Sequence, residues 1–261
     1  MDHDAVLALY DRQMRQDAPA DGPGARVERV GEVVRQTGGE HGWNGVLWSG
    51  LDAATADAVI AEQVRHFAAL GREFEWKLYA HDRPADLGER LLAAGFVPEP
   101  EETLLVAGTG ALAGLPVDGH LPEGVELHSV TDPVGVDLVA RVHEQAFGTD
   151  GSQLRERLLA QLSADPATVV AVVAMAGDVP VSSSRLELPP GRDFAGLWGG
   201  GTVPEWRGRG IYRASVAFRA RVAADRGYRW LQVDAMPTSR PVLQRLGFAA
   251  LSTTTPYVHG R

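Results

Sequence analysis

Apolar residues recur at helical spacing over 53–70, where Ala58, Val59, Val64, Phe67 and Leu70 alternate with polar positions such as Glu62. Residues 2–16 follow the same rule. Short apolar runs at 43–48 and 73–80 predict strands, and the pattern of 84–94 predicts a helix that stops at Gly95, a common place for a C-terminal glycine. A further strand is expected at 103–107. From Gly108 to Gly124 the sequence GTGALAGLPVDGHLPEG is rich in Gly and Pro, keeps no period, and reads as a linker.

The second half is punctuated more sharply. VELHSV at 125–130 alternates like a strand, 133–147 and 152–163 read as helices, and TVVAVVAM at 168–175 is a β-branched run ending in a Gly177-Asp178 turn. VPVSSSRLEL at 179–188 completes a hairpin, and FAGLWGGGTV at 194–203 is a strand diluted by glycine. A helix follows from Arg209 to Arg226, then the strand RWLQVDA, a helix from Ser239 to Leu246 ended by Gly247, and a last strand near 255–259. FEWKLYAHDRPADLGERLLAAGF at 74–96 and RWLQVDAMPTSRPVLQRLGF at 229–248 share the order strand, Pro-containing turn, short helix, Gly-Phe. That echo predicts a duplicated unit.

Composition narrows the chemistry. With 261 residues the chain holds one large domain or two smaller ones, and 44% hydrophobic content supports a packed core. The absence of cysteine excludes zinc ribbons, CxxC redox sites, Fe–S clusters and thiol nucleophiles. MDHDAVLALY lacks a basic n-region, and the longest apolar run, VVAVVAMA at 169–176, is too short to cross a bilayer, so a soluble cytoplasmic protein is expected with no membrane partner. The formal charge of −9 is uneven: residues 1–120 carry 10 basic and 20 acidic side chains, residues 121–261 carry 15 and 14. Surface solubility and an acidic groove for cationic substrates both account for the first half.

The basic residues of the second half concentrate around RGRGIY at 207–212, where a strand gives way to a helix. Seven arginines lie between 207 and 229. Glycines permit a tight turn there, and the free amides of a helix N-terminus, with the helix dipole behind them, favour a phosphate or pyrophosphate. Arg207 and Arg209 could add guanidinium forks. Neither GxGxxG nor the GKS/GKT of a P-loop is present.

VPEWRGRGIY resembles motif A of the GNAT (GCN5-related) N-acetyltransferase superfamily, through Val203, Pro204, Arg207, Gly210 and Tyr212. The strand RWLQVDA and the helix ending in LQRLGF are similar to its motif B region. The resemblance implies an α/β (α+β) GNAT fold, a mixed central sheet flanked by helices, duplicated in tandem. It further implies a degenerate domain at 1–108, a linker at 109–123 and an acetyl-CoA-binding domain at 124–261. By the same resemblance Gly201, Thr202 and Val203 pair with the pantetheine arm of the cosubstrate acetyl-CoA. The amides of Gly208, Arg209, Gly210, Ile211 and Tyr212 hold its pyrophosphate, with Arg207 also among the cofactor-binding residues. An acetyl group then passes to the primary amine of a small molecule or peptide by direct attack; the alternative is an inactive CoA-binding sensor or assembly protein.

Three positions depart from the family. Tyr212 stands where Gly or Ala closes the loop pattern, Leu243 where many relatives carry a tyrosine acid, and Leu197 and Trp198 where some carry a general base. Glu187 and Ser239 are the catalytic candidates that remain, with Asp234, Tyr257 and His259 behind them; for Ser239 the competing role is a helix cap. Trp43, Trp48, Trp76, Trp198 and Trp206 are core residues or substrate walls. No metal-ligand spacing joins the 8 histidines. The overall negative charge argues against a nucleic-acid partner, and a homodimer is left open.

Overall fold

The structure, a computed structural model, describes residues 1–117 and 121–260. Chain contacts divide it into two compact units: Met1–Leu105 with Asp234–Pro241 and Ala250–Arg261, and Val106–Val233 with Val242–Ala249.

In the first unit, α1 (His3–Tyr10) starts at Asp2, whose carboxylate accepts from the Ala5 amide at 3.2 Å, and runs on as a wider π-helical turn over Asp11–Gln16. A hairpin follows, β1 (Arg26–Val30) and β2 (Val33–Thr37), then β3 (Gly45–Ser49), α2 (Ala56–Ala69), β4 (Phe74–Tyr79), α3 (Leu87–Ala93), the two-residue β5 (Val97–Pro98) and β6 (Glu102–Gly108), which belongs to this unit as far as Leu105. The sequence reading missed the hairpin, although RVERV and EVVRQT flank Gly31 at φ 56°, a left-handed turn that glycine adopts without strain. β1, β2 and β3 are antiparallel neighbours and β3 runs parallel to β4. Ile60 and Phe67 of α2 bury against Phe74, Trp76 and Phe96, with Phe67 and Phe74 stacked at 4.3 Å.

The second unit holds α4 (Thr109–Ala113), β7 (Val125–Val130), α5 (Pro133–Phe147), α6 (Ser152–Ala164), β8 (Val169–Ala176), β9 (Val179–Glu187), β10 (Phe194–Thr202) and α7 (Ile211–Asp225). The chain closes with β11 (Trp230–Ala235), α8 (Arg240–Arg245) and β12 (Ala249–His259). β7 to β10 form an antiparallel meander and β10 runs parallel to β11. α5 is capped by Asp132 and ends on left-handed Gly148. Val136, Val139 and Leu158 of α5 and α6 pack on Val169, Ala171 and Val173.

Each unit is therefore a meander whose last strand takes a parallel neighbour across a helix, β3-α2-β4 and β10-α7-β11. This is the duplication that the sequence echo predicted, in a mixed sheet flanked by helices.

Two boundaries differ from expectation. β12 does not stay with 124–261: it pairs antiparallel with β4, from Thr254↔Tyr79 to His259↔Phe74, and so completes the sheet of the first unit. Alternating burial along β12 fits that place, with Pro256 and Val258 turned inward. Nor is 109–123 a free linker. Thr109 donates its hydroxyl to the Tyr228 carbonyl at 2.7 Å, Leu112 is buried, and Val117 packs on Ala214 and Ala217 of α7. Residues 118–120 of that stretch lie outside the described residues.

Candidate active site

The glycine loop is held from both ends. Val203 and Ile211 are buried in one cluster with Val125, Val142, Ala174 and Val181, so the exposed residues between them hang from two core anchors. Pro204–Trp206 forms one 3-10 turn, Gly208 and Gly210 take φ of 75° and 88°, and α7 begins directly after Gly210 without a side-chain cap. The left-handed glycines turn successive amides in one direction. Among the described residues, no amide from Gly208 to Tyr212 donates to a protein group. An anion at this helix start would meet unsatisfied donors with the dipole in its favour.

The Arg207 guanidinium, a candidate phosphate fork, already has protein partners. It donates to the Thr202 carbonyl at 3.0 Å and to the Ala146 carbonyl at 2.9 Å, tying the loop to the end of α5. Arg209 lies over the Trp206 ring at 4.7 Å, with its charge at the exposed tip of the loop.

Tyr212, the departure from the family pattern, is matched by a glycine opposite. A Cβ on Gly200 would stand 2.7 Å from Tyr212 Cε2, so the ring lies across a backbone that only glycine leaves clear. Burial pushes the Tyr212 hydroxyl up from its ordinary pKa.

β10 carries the second feature. Its pairing with β11 runs from Phe194↔Trp230 to Gly196↔Gln232 and goes no further, while β10 itself continues to Thr202. On the β9 side the register slips between Trp198 and Gly201, with Gly199 at φ 57°. This bulge leaves Gly199 and Gly200 out of the ladder. Beyond the slip, Gly201 O accepts from Ser182 Oγ at 2.7 Å and Thr202 O from Arg207, so an extended ligand beside β10 would find its free edge between Leu197 and Gly200.

The catalytic candidates are not gathered at the loop. Glu187 sits on β9 opposite Gly196, five positions and roughly 16 Å along the strand from the row of Ser182 and Thr202. Its carboxylate faces Arg157 at 3.8 Å. Ser239 donates to the Met236 carbonyl at 3.2 Å, a local turn bond, and belongs to the first unit. Leu243 is fully buried. His259 packs on Phe96 and Phe74 at 5.0 and 5.9 Å, and Asp234 is ion-paired with Lys77 inside the first unit. Trp76 is a core residue, and Trp43 donates to Glu75 at 2.9 Å.

The first unit has its own version of both features, each already occupied. β3 pairs with β4 only over Gly45–Val46 and Glu75–Trp76. Beside the next residues Arg15 donates to the Leu47 carbonyl at 3.1 Å, grips Asp82 at 2.8 and 2.7 Å, and lies 4.0 Å over Tyr79. Before α2, Asp52 Oδ1 takes the amides of Ala54 and Thr55, both at 2.9 Å. The Thr55 hydroxyl, which also donates to Asp52 Oδ1 at 2.9 Å, and then these two amides hold the Asp52 carboxyl below its usual pKa. Among the described residues, no group of three or more His, Asp and Glu is placed to hold a metal ion, and no helix is long and apolar enough to cross a membrane.

Neither a family model nor a curated protein matches the sequence. Solved structures do match the fold. A GCN5-related N-acetyltransferase from Kribbella flavida superposes with a TM-score of 0.69 at 19% identity, over 99% of this chain and 94% of that one. A conserved protein of unknown function from Staphylococcus epidermidis gives 0.69 at 13% identity, over 94% and 97%. A tandem GNAT protein from the clavulanic acid biosynthesis pathway gives 0.62 at 13% identity, over 92% and 84%. The chain has the GNAT fold across both of its units.

Proposed function

We propose that the second unit binds acetyl-CoA and transfers its acetyl group to a primary amine. The observation that carries this reading is the run of undonated amides from Gly208 to Tyr212 at the start of α7, next to a strand whose edge is free beyond Gly196. The amides suit a pyrophosphate, and the free edge of β10 between Leu197 and Gly200 suits an extended amide-bearing arm. That the matched structures include N-acetyltransferases of the same fold supports the assignment of class.

In the reaction the neutral amine attacks the thioester carbonyl carbon, a C–N bond forms and the C–S bond breaks. The amine proton leaves to water or a base, and the thiolate takes up a proton from solvent. Amides freed by the bulge at Gly199 and Gly200 are the groups of β10 best placed to face a developing oxyanion. A thiolate is a good leaving group, so the burial of Leu243 in place of a tyrosine acid does not forbid turnover.

Calorimetric titration with acetyl-CoA, followed by a thiol-release assay over a series of primary amines, tests the proposal. Binding with amine-dependent thiol release is the expected result. Binding with no release above buffer on any amine would instead favour a CoA-binding sensor, and no binding would overturn both.

A further inference from the structure

One strongly charged group in the second unit has no counter-ion in contact with it among the described residues. Arg185 lies on β9 opposite Trp198, the residue at which the β10 register slips. Its guanidinium reaches under the bulge: a Cβ placed on Gly199 would be 3.4 Å from Nη1 and 3.8 Å from Cζ. Side chains alternate along a strand, so Ser183, Arg185 and Glu187 share one face of β9, and the bond from Ser183 Oγ to the Val139 carbonyl identifies it as the face covered by α5.

The charges around Arg185 do not balance. Arg185 makes no ion pair or side-chain hydrogen bond among the described residues. Glu187, two positions along the strand, is the carboxylate whose charge acts on Arg185, but it is shared with Arg157, which lies 3.8 Å from it, so one acid stands against two guanidiniums. His143 on α5 bonds Thr149 at 3.0 Å and is held toward its neutral form by burial first and by the Arg185 charge second. Glu144, next to it, accepts the Gly151 amide at 3.3 Å. A partly buried guanidinium that shares its one nearby acid with a second guanidinium would be stabilised by an anion arriving from outside.

A second unsatisfied group faces the same side. Gln232 and Trp198 converge over Gly196, where an added Cβ would stand 2.9 Å from Gln232 Nε2 and 2.6 Å from Trp198 Nε1. Gln232 is 4% exposed, and its Oε1 has no partner. Gly196↔Gln232 is also the last paired row before β10 and β11 separate. A cation without a contact counter-ion and an unsatisfied carbonyl acceptor thus flank the point where the proposed acetyl transfer would take place.

We infer that Arg185 anchors an anionic group, carboxylate or phosphate, on the acceptor amine, so that the substrate is an amino acid or amino phosphate and not a plain amine. This rests on the acetyl-transfer reading above. Arg185 is then a specificity-determining residue: the guanidinium binds two oxygens of the anion, and the Gln232 carbonyl is available to the amine hydrogens.

The test compares matched pairs in the thiol-release assay: the standard amino acids against the amines left by their decarboxylation, and O-phosphoethanolamine against ethanolamine. The anion-bearing member of at least one pair should exceed its partner by about tenfold or more in kcat/KM. Whichever arm responds identifies carboxylate or phosphate. Arg185→Gln should abolish that preference through KM, Arg185→Lys should keep part of it, and both should leave the acetyl-CoA Kd and the thermal midpoint unchanged. Equal rates within every pair, or a preference that survives Arg185→Gln, would overturn the inference alone. Binding of acetyl-CoA with no release from any amine, or failure to bind it, would instead overturn the acetyl-transfer reading beneath it.

Discussion

Arg207 and Arg209 look interchangeable in RGRG, yet their surroundings demand different behaviour. Arg207 makes two charge-assisted hydrogen bonds, to the carbonyls of Thr202 and Ala146 at 3.0 and 2.9 Å. At an exposed position each contributes about 1 kcal/mol at most, below the range for bonds to buried charges. Arg207→Ala should therefore release the loop from α5 and weaken acetyl-CoA binding by about tenfold, since 1.4 kcal/mol is one decade in Kd. Its partners are neutral dipoles at contact distance, so the loss should persist when salt is raised from 0.1 to 1 M, where the Debye length shrinks from about 10 to about 3 Å. Arg209 holds its charge over Trp206 and is free to act on an incoming anion through the Coulomb field. Arg209→Ala should weaken binding at low salt and lose that effect at high salt. Calorimetry on the wild type and both variants at two ionic strengths separates the roles. An unchanged Kd for Arg207→Ala, or a penalty that vanishes with salt as Arg209's does, would refute this account of the loop.

Other consequences follow from buried groups. Arg15→Met should cost about 3–5 kcal/mol of unfolding free energy, because it strands Asp82 without the two bonds it receives at 2.8 and 2.7 Å; Arg15→Met with Asp82→Asn should recover part of that in urea titrations, and a single-variant loss under about 1 kcal/mol would contradict it. Burial pushes Glu102 up from 4.5 to about 7, so in the fold its ionised form is disfavoured. That penalty is complete above pH 7 and relieved as pH falls toward 4.5; Glu102→Gln should gain stability at pH 8 and flatten the change in urea midpoint between pH 5 and 8. Gly200→Ala should destabilise by about 1–3 kcal/mol through the Tyr212 ring; in a Tyr212→Ala background the same change should be nearly neutral, and an undiminished cost there would show that the ring is not the obstacle.

Local pattern carried much of this into the sequence. The helices 133–147 and 152–163, the β8-β9 hairpin and the strand-loop-helix around 207–212 were legible because period, turn and cap residues agree. The β1-β2 hairpin was not, since RVERV and VVRQT interleave charged and polar residues with valine in runs too short for a period to stand out. The exchange of β12 was invisible for another reason: a strand's sequence states which face it buries but not which sheet receives it. In the site, glycine at 208 and 210 announced the tight turn before α7, but nothing local said that Arg207 would be taken by two carbonyls 5 and 61 residues away. Arg185 escaped notice because SSSRLEL reads as an ordinary strand, and only the slip at Trp198 and the pairing of Glu187 with Arg157 reveal its charge as unbalanced.

Duplication also explains why one unit is read as a ligand site and the other is not. Where β10 parts from β11, the edge of the strand past Gly196 has no partner strand. Where β3 parts from β4, Arg15 bonds the Leu47 carbonyl and stacks on Tyr79. Before α7 the amides of Gly208 to Tyr212 are undonated, whereas before α2 a carboxylate of the chain, Asp52, takes two of them. An anion at a helix start and a hydrogen-bonding partner along the parted strand are demands of the fold itself, set by orphan amides and unpaired edges. The first copy meets them with its own side chains, which makes it a closed scaffold. The second leaves both unmet at once and along the same strand-to-helix connection, which is the arrangement a single ligand bearing an amide arm and a phosphate would satisfy.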